Sequence, residues 1–341
     1  MISRVADHCF WFGRYLERAE STARVLAVTT TLALDAELAP RQLWLPLVIV
    51  SGEEERFRER FGEDAQGDGE IVQRYVAWDE ENGASLLRSI GGARWNARQI
   101  REVVSLEAFE AINELYVWTS QDAARAEYEA HRWGFYRHVR NGTQLCLGLL
   151  RSTMLHDTPL DFIWLGVLLE RVSQTARMLD VHHHVFSTAP THAPADGESL
   201  VGTASDRGIV ETAVWLSLLR ACSGFESFIK LNAGQVSRRA VASFLLLEPR
   251  FPRAVRYCVH AAWERLADVR PPDAADLPGK IAQRRLRRLD DELRTMTPAD
   301  VDPASIHEWL THIVDETHAI CDEIGRDLLG HTAPEPSPSA P

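Results

Sequence analysis

Residues 11–28 of this chain return 153 positions later as residues 164–181, and this doubling constrains the fold more than any other feature. Trp11, Gly13, Leu16, Glu17, Arg18, Thr22, Ala23, Arg24, Leu26 and Val28 recur as Trp164, Gly166, Leu169, Glu170, Arg171, Thr175, Ala176, Arg177, Leu179 and Val181. Ten identities in eighteen ungapped positions mark a tandem duplication. Both copies carry helical periodicity. In the first, Phe12, Leu16, Ala19, Ala23, Leu26 and Ala33 fall on one 3–4 spacing, which predicts an amphipathic helix over residues 4–34. The second copy is expected to run from about Leu160 to His184.

The remaining chain shows further helical seams and no sustained strand alternation. Pro40 is read as ending the first element or its loop, and Leu43 to Arg60 as one helix with Pro46 near its start. Residues 63–70 read as an acidic loop. Ser85 opens a helix whose seam runs Leu86, Ile90, Ala93, Ala97, Ile100 and Val104, and Ser105 is a natural N-cap for the next. Residues 120–155 read as helical with a break at Asn141-Gly142. Helical pattern resumes at Ile209 and continues to Phe228, Phe251-Pro-Arg253 reads as a turn into a helix, Ala282 to Met296 repeats the seam, and a last helix covers 305–329. The fold class is therefore all-α: a duplicated helical bundle of one domain over 1–330. Its halves, about 1–153 and 154–330, should be related by a pseudo-twofold axis. Residues 187–206, rich in Pro, Ala, Thr, Gly and Ser, read as a flexible linker, and 331–341 as a disordered tail.

Composition narrows the function. A net charge of −12 argues against nucleic acid or an anionic membrane as a partner. Only Lys230 and Lys280 are lysines, so a cationic site here would be a guanidinium fork suited to carboxylate or phosphate. The five cysteines lack Cys-x-x-Cys spacing, no apolar leader precedes Arg4 and Asp7, and apolar runs are short; a soluble cytoplasmic protein is expected.

The duplicated Glu17-Arg18 and Glu170-Arg171 pairs pose the functional question. Arg24 and Arg177 follow them at the same spacing, whereas Arg14 and Glu20 become Val167 and Ser173. One reading makes these residues interhelical ion pairs that fix register. The other makes them a pocket between the copies, where arginines hold a carboxylate or phosphate and glutamates hold an amine or act as base. The second reading extends to a stand-alone enzyme using acid–base chemistry on an amine or carboxyl substrate.

Residues 1–24, Met-Ile-Ser-Arg-Val-Ala-Asp-His-Cys-Phe-Trp-Phe-Gly-Arg-Tyr-Leu-Glu-Arg-Ala-Glu-Ser-Thr-Ala-Arg, resemble the opening of the bacterial alpha-E domain family, named for its helices and its Glu-Arg motif. Trp95-Asn-Ala-Arg98 with Ile100-Arg-Glu102, the Glu170-Arg171 repeat and Phe251-Pro-Arg253 also match the family pattern, over about residues 1–330. His8 stands where Asn is usual, and Val172-Ser173 where the family often has Ala and an acid. The resemblance implies a bacterial protein encoded beside an ATP-grasp ligase-like protein and often a transglutaminase-like protease, hence amide-bond or peptide-modifying chemistry. It adds Asn96, Arg98 and Arg253 to the candidate ligand-binding residues. No Gly-rich phosphate loop occurs, so no cofactor is expected and ATP chemistry would belong to the partner.

Other signals are read as structural. No paired Glu-x-x-His set supports a metal site. His182-His-His184 is explained by the pull of a helix C-terminus on positive charge. Cys9 is a small buried hydrophobe, Trp11, Trp95 and Trp164 are core residues, and Arg284 to Arg288 form a solvated face.

Overall fold

The computed structural model describes residues 2–35, 38–187, 204–273, 277–302 and 305–331. Among these residues it contains fifteen α-helices and no strand. The two copies of the repeat lie on the longest helices, α1 (Ser3–Asp35) and α9 (Thr158–Ser187). At 1.5 Å per residue these rods are roughly 50 and 45 Å long. They make the most extensive helix–helix contact in the molecule. Phe12, Leu16, Ala23 and Leu26 of α1 and Leu165, Leu169, Ala176 and Leu179 of α9 are almost wholly buried, as the 3–4 spacing requires of a seam.

Two glycines set the closeness of this pair. A Cβ on Gly13 would lie 2.0 Å from the Ile163 carbonyl oxygen, and one on Gly166 would lie 2.1 Å from that of Phe10. The contacts are reciprocal, since Phe10 and Ile163 occupy matching places in the two copies.

Among the described residues the remaining helices surround α1 and α9, seven following the first and six the second. After α1 come α2 (Pro40–Ser51), α3 (Glu54–Phe61), α4 (Gly69–Trp78), α5 (Leu86–Gln99), α6 (Leu106–Thr119), α7 (Asp122–Ala130) and α8 (Arg132–Thr153). After α9 come α10 (Ala204–Ala221), α11 (Phe225–Asn232), α12 (Arg238–Leu247), α13 (Val255–Val269), α14 (Lys280–Thr295) and α15 (Ile306–Ile324). Both α3 and α11 are eight residues long, and both α4 and α12 are ten. Helices α5 and α8 pack on α1, while α13 and α15 pack on α9.

Several boundaries differ from those the sequence predicts. Of the two places read for Pro40, the structure selects the end of the loop: it opens α2, because its missing N–H costs nothing at the first helical position. The single helix expected over Leu43 to Arg60 is two, broken at Gly52, whose φ of 78° is left-handed. The expected loop at 63–70 holds a short 3₁₀ turn, Asp64–Gly67, with Asp68 capping α4. The break predicted at Asn141-Gly142 falls instead at His131, and α8 runs through both residues. Gly142 serves packing there: a Cβ would meet the Leu115 side chain of α6 at 3.0 Å. A break also separates α10 from α11, where Ser223 has a φ of 55°. Ser85 and Ser105 cap α5 and α6 as expected, each accepting a backbone N–H at 3.3 Å. Of the predicted linker, 188–203 lies outside the described residues, while α10 already begins at Ala204; of the tail, 332–341 lies outside them.

Candidate functional site

The periodicity that buries the α1–α9 seam also fixes where its charges fall. Glu17 and Arg18 follow Leu16 on α1, and Glu170 and Arg171 follow Leu169 on α9, so each pair lies at the edge of the seam facing the other copy. The pairs cross. Arg171 grips Glu17 with a fork, Nη2 to Oε2 at 2.6 Å and Nε to Oε1 at 3.0 Å. Arg18 grips Glu170 in the same way, Nε to Oε1 at 2.7 Å and Nη2 to Oε2 at 3.0 Å.

Each carboxylate has a second arginine. Arg14 donates to Glu170 Oε2 at 2.8 Å. Its counterpart in the second copy is Val167, and the matching role falls to Arg253, whose Nη1 lies 2.6 Å from Glu17 Oε1. Arg253 stands in the turn before α13. Its other arm reaches Glu20 Oε2 at 2.5 Å, and Glu20 also binds Arg24 and accepts from Gln144 Nε2 of α8 at 3.0 Å. The turn is held in place by α9: Arg171 donates to the Pro252 carbonyl at 3.1 Å and Thr175 to that of Arg253 at 3.1 Å. Ser21 and Gln174 complete the shells of Glu17 and Glu170.

The three glutamates are at most 2% exposed. Burial alone would raise the Glu170 carboxyl, but Arg18 and then Arg14 hold it well below the ordinary carboxylate range. Glu20, buried as deeply, is drawn down to about 2 by Arg253 and Arg24. Burial also works against the Arg253 charge, and Glu17 and Glu20 more than offset it, leaving that guanidinium raised. Glu20 and Glu170 are therefore ionised at neutral pH, and all three carboxylates have their oxygens occupied by donors.

Glu17, Arg18, Glu170, Arg171, Arg14, Glu20, Arg24 and Arg253 thus meet in one cluster, while three other candidates do not join its bonds. Arg177 is half-buried on the α9 side, donating to the Val50 carbonyl at 3.4 Å and lying 3.0 Å from His318 Nε2. Asn96 bonds His8 at 2.9 Å and the Gly92 carbonyl at 2.8 Å, and Arg98 is exposed on α5. Asn96 instead lines a separate groove of about 860 Å³ between α1 and α5, walled by Trp11, Tyr15, Trp95 and Tyr116. Trp95, expected in the core, is 55% exposed there, and Trp11 and Trp164 are only half-buried. Gln144 had no signal in the sequence. The role of Arg253 had one: the loss of Arg14's counterpart at Val167 leaves one carboxylate short of a partner.

The remaining candidate chemistry resolves simply. Burial pushes the Cys9 thiol up to about 12, with Asp157 and Glu102 adding to it. His182 is not a charged residue at a helix end: α9 continues past it to Ser187, and burial lowers the imidazole to about 4 against the pull of its bond to the Met178 carbonyl. Arg285, Arg287 and Arg288 pair with Glu316, Asp291 and Glu292 on the outer face of α14. Among the described residues no three His, Cys, Asp or Glu side chains gather as metal ligands, and no helix is long and apolar enough to cross a membrane.

The chain is 25% identical over 309 residues to uncharacterized proteins of Mycobacterium bovis and of two strains of Mycobacterium tuberculosis. The match covers 86% of this chain and 32% of each relative, so the chain spans about a third of the length of the curated relatives it matches. No solved structure matches it. A family model described as a predicted alpha-helical domain with a conserved ER motif matches residues 1–329: the chain belongs to the Alpha-E family.

Proposed function

We propose that this chain is a helical accessory protein of a bacterial ATP-grasp-type amide or peptide ligation system, acting beside a ligase-like partner and, in some settings, a transglutaminase-like protease. The observation that carries this reading is the saturation of the Glu-Arg cluster. A general base needs a lone pair free for the substrate's proton. Here Glu17, Glu20 and Glu170 each accept from at least two arginine, glutamine or serine donors. Such groups hold a shape and a charge more readily than they move a proton. The longer relatives support the same view, because there the domain occupies a third of a larger chain and works tethered to other polypeptide.

Within this reading the cluster is a clasp between two duplicated halves related by a pseudo-twofold axis. Support comes from the reciprocal Gly13 and Gly166 contacts, the crossed forks and the equal lengths of α3 and α11 and of α4 and α12. The cluster carries an excess of arginine. Arg14, Arg18, Arg24, Arg171 and Arg253 outnumber the three carboxylates, which favours an anionic group, the carboxylate of a peptide or amino-acid-like substrate, as the bound partner. A cytoplasmic location follows from such a role.

The test is association. Tagged chain should retain the neighbouring ATP-grasp protein through purification, and the pair should sediment together. Turnover of amine or carboxyl substrates by the isolated chain, abolished in Arg18→Lys at unchanged melting temperature, would replace this reading with that of a stand-alone enzyme.

A further inference from the structure

The α1–α8 interface has a rung that the Glu-Arg motif does not account for. The two helices are antiparallel along this face, as two sets of bonds establish. Low on α1, Glu20 accepts from Gln144; higher up, Thr30 and Tyr136 meet through Gln73 Oε1, at 3.2 and 3.0 Å. As the α1 number rises the α8 number falls. Between these levels stand Arg24, one turn above Glu20, and Arg140, one turn from Gln144. The rung thus brings two guanidinium groups to the same level.

Neither is fully used by the protein. Arg24 is 8% exposed and gives one arm to Glu20, while its Nε is buried with no hydrogen-bond partner. Arg140 is half-buried, and no carboxylate pairs with its guanidinium among the described residues. Burial and then the Arg24 charge lower the Arg140 guanidinium from its ordinary value, with Arg137 adding to the repulsion and Glu20 opposing it. Like charges held this close in a partly dry site are costly unless an anion lies between them.

We propose that Arg24 and Arg140 form an anion-binding site between α1 and α8 that takes a carboxylate or phosphate group through paired guanidinium donors. Arg24 Nε and the Arg140 guanidinium supply the N–H donors, and Glu20 holds the other arm of Arg24. The site deepens the ligand reading of the cluster by naming a residue outside the duplicated motif, and it stands or falls independently of any ligase partner.

The experiment is thermal unfolding of the full chain with three additives: inorganic phosphate, acetyl-Gly-Ala with a free carboxylate, and the same dipeptide as its amide. It is run on the native protein and on Arg140→Met, which keeps the apolar stem and removes the charge. Phosphate, the free-acid dipeptide or both should raise the native melting temperature in proportion to the logarithm of concentration, and the amide should not. Stabilisation by phosphate alone assigns a phosphorylated ligand, and by the dipeptide acid alone a peptide terminus. Arg140→Met should melt no lower than the native protein when additive-free, and its apparent affinity should fall about tenfold or more, the loss of a charge-assisted bond. No response to either anion, an equal response in the variant, or a variant that melts well below the native protein in the absence of anion would overturn the site.

Discussion

The two carboxylates of the duplicated motif reach the same local result by different routes. Glu170 takes both arginines, Arg14 and Arg18, from the single helix α1, so its pairing closes within the α1–α9 contact. Glu17 takes Arg171 from α9 and Arg253 from a turn far along the chain, and Arg253 is shared with Glu20. A helix-borne arginine missing at Val167 is replaced in space by one from another element. The difference teaches that the need for a second guanidinium belongs to the buried carboxylate and not to the sequence position. One side of the cluster is a helix–helix joint; the other also fastens the turn that launches α13.

The sharpest way to break this asymmetry is Arg253→Ala. It strips one partner from two buried carboxylates at once and should cost about 3–5 kcal/mol, read as a lowered denaturation midpoint. Next in size are Gly13→Ala and Gly166→Ala, each forcing a methyl group against the opposite helix's carbonyl. Each should cost on the order of 1–3 kcal/mol, and the two costs should match; a tolerant Gly166 beside an intolerant Gly13 would show that the contacts are not energetically equivalent. Arg14→Ala comes third, because Arg18 keeps its fork on Glu170: a loss of about 1–2 kcal/mol is expected, smaller than for Arg253→Ala in the same titration. Equal losses would erase the distinction between the two sides.

Acid is the gentlest probe, without effect near neutrality. The folded-state pKa values of Glu20 and Glu170 lie below the ordinary 4.5, so their contribution is complete above that value. It is lost as pH falls from about 4.5 through 2, where the unfolded chain binds protons that the folded one refuses. Urea midpoints from pH 6 to 2.5 should decline over this window, and Glu170→Gln should flatten the slope.

Much of this architecture could be read from the chain. The 3–4 seam of Phe12, Leu16, Ala23 and Leu26 reports burial directly, and Ser85 and Ser105 cap helices because their hydroxyls satisfy free backbone N–H groups. Duplication makes either Arg171 or Arg177 a partner for Glu17 once the two helices are adjacent, and the structure selects Arg171. Tertiary packing hid the rest. Asn141-Gly142 carries the signature of a turn, yet the glycine is there to admit Leu115, and the true break at His131 has no glycine or proline to announce it. Gly52 was visible as a residue but not as a left-handed one. Asn96 and Arg98 belong to a pattern in sequence that the fold sends to the α5 side, away from the cluster. Gln144 and Arg140 joined α1 only through the antiparallel register of α8, which no local pattern encodes.

The exchange of partners across α1 and α9 has a consequence for the chain as a separable object. Each long helix carries an acid whose neutralising base resides on the other, so neither half is electrically complete alone. A polypeptide severed between 188 and 203 would leave two fragments, each with an interior charge begging for the other's, and reunion would restore both at once. The motif is, in that sense, a lock whose key is its own twin.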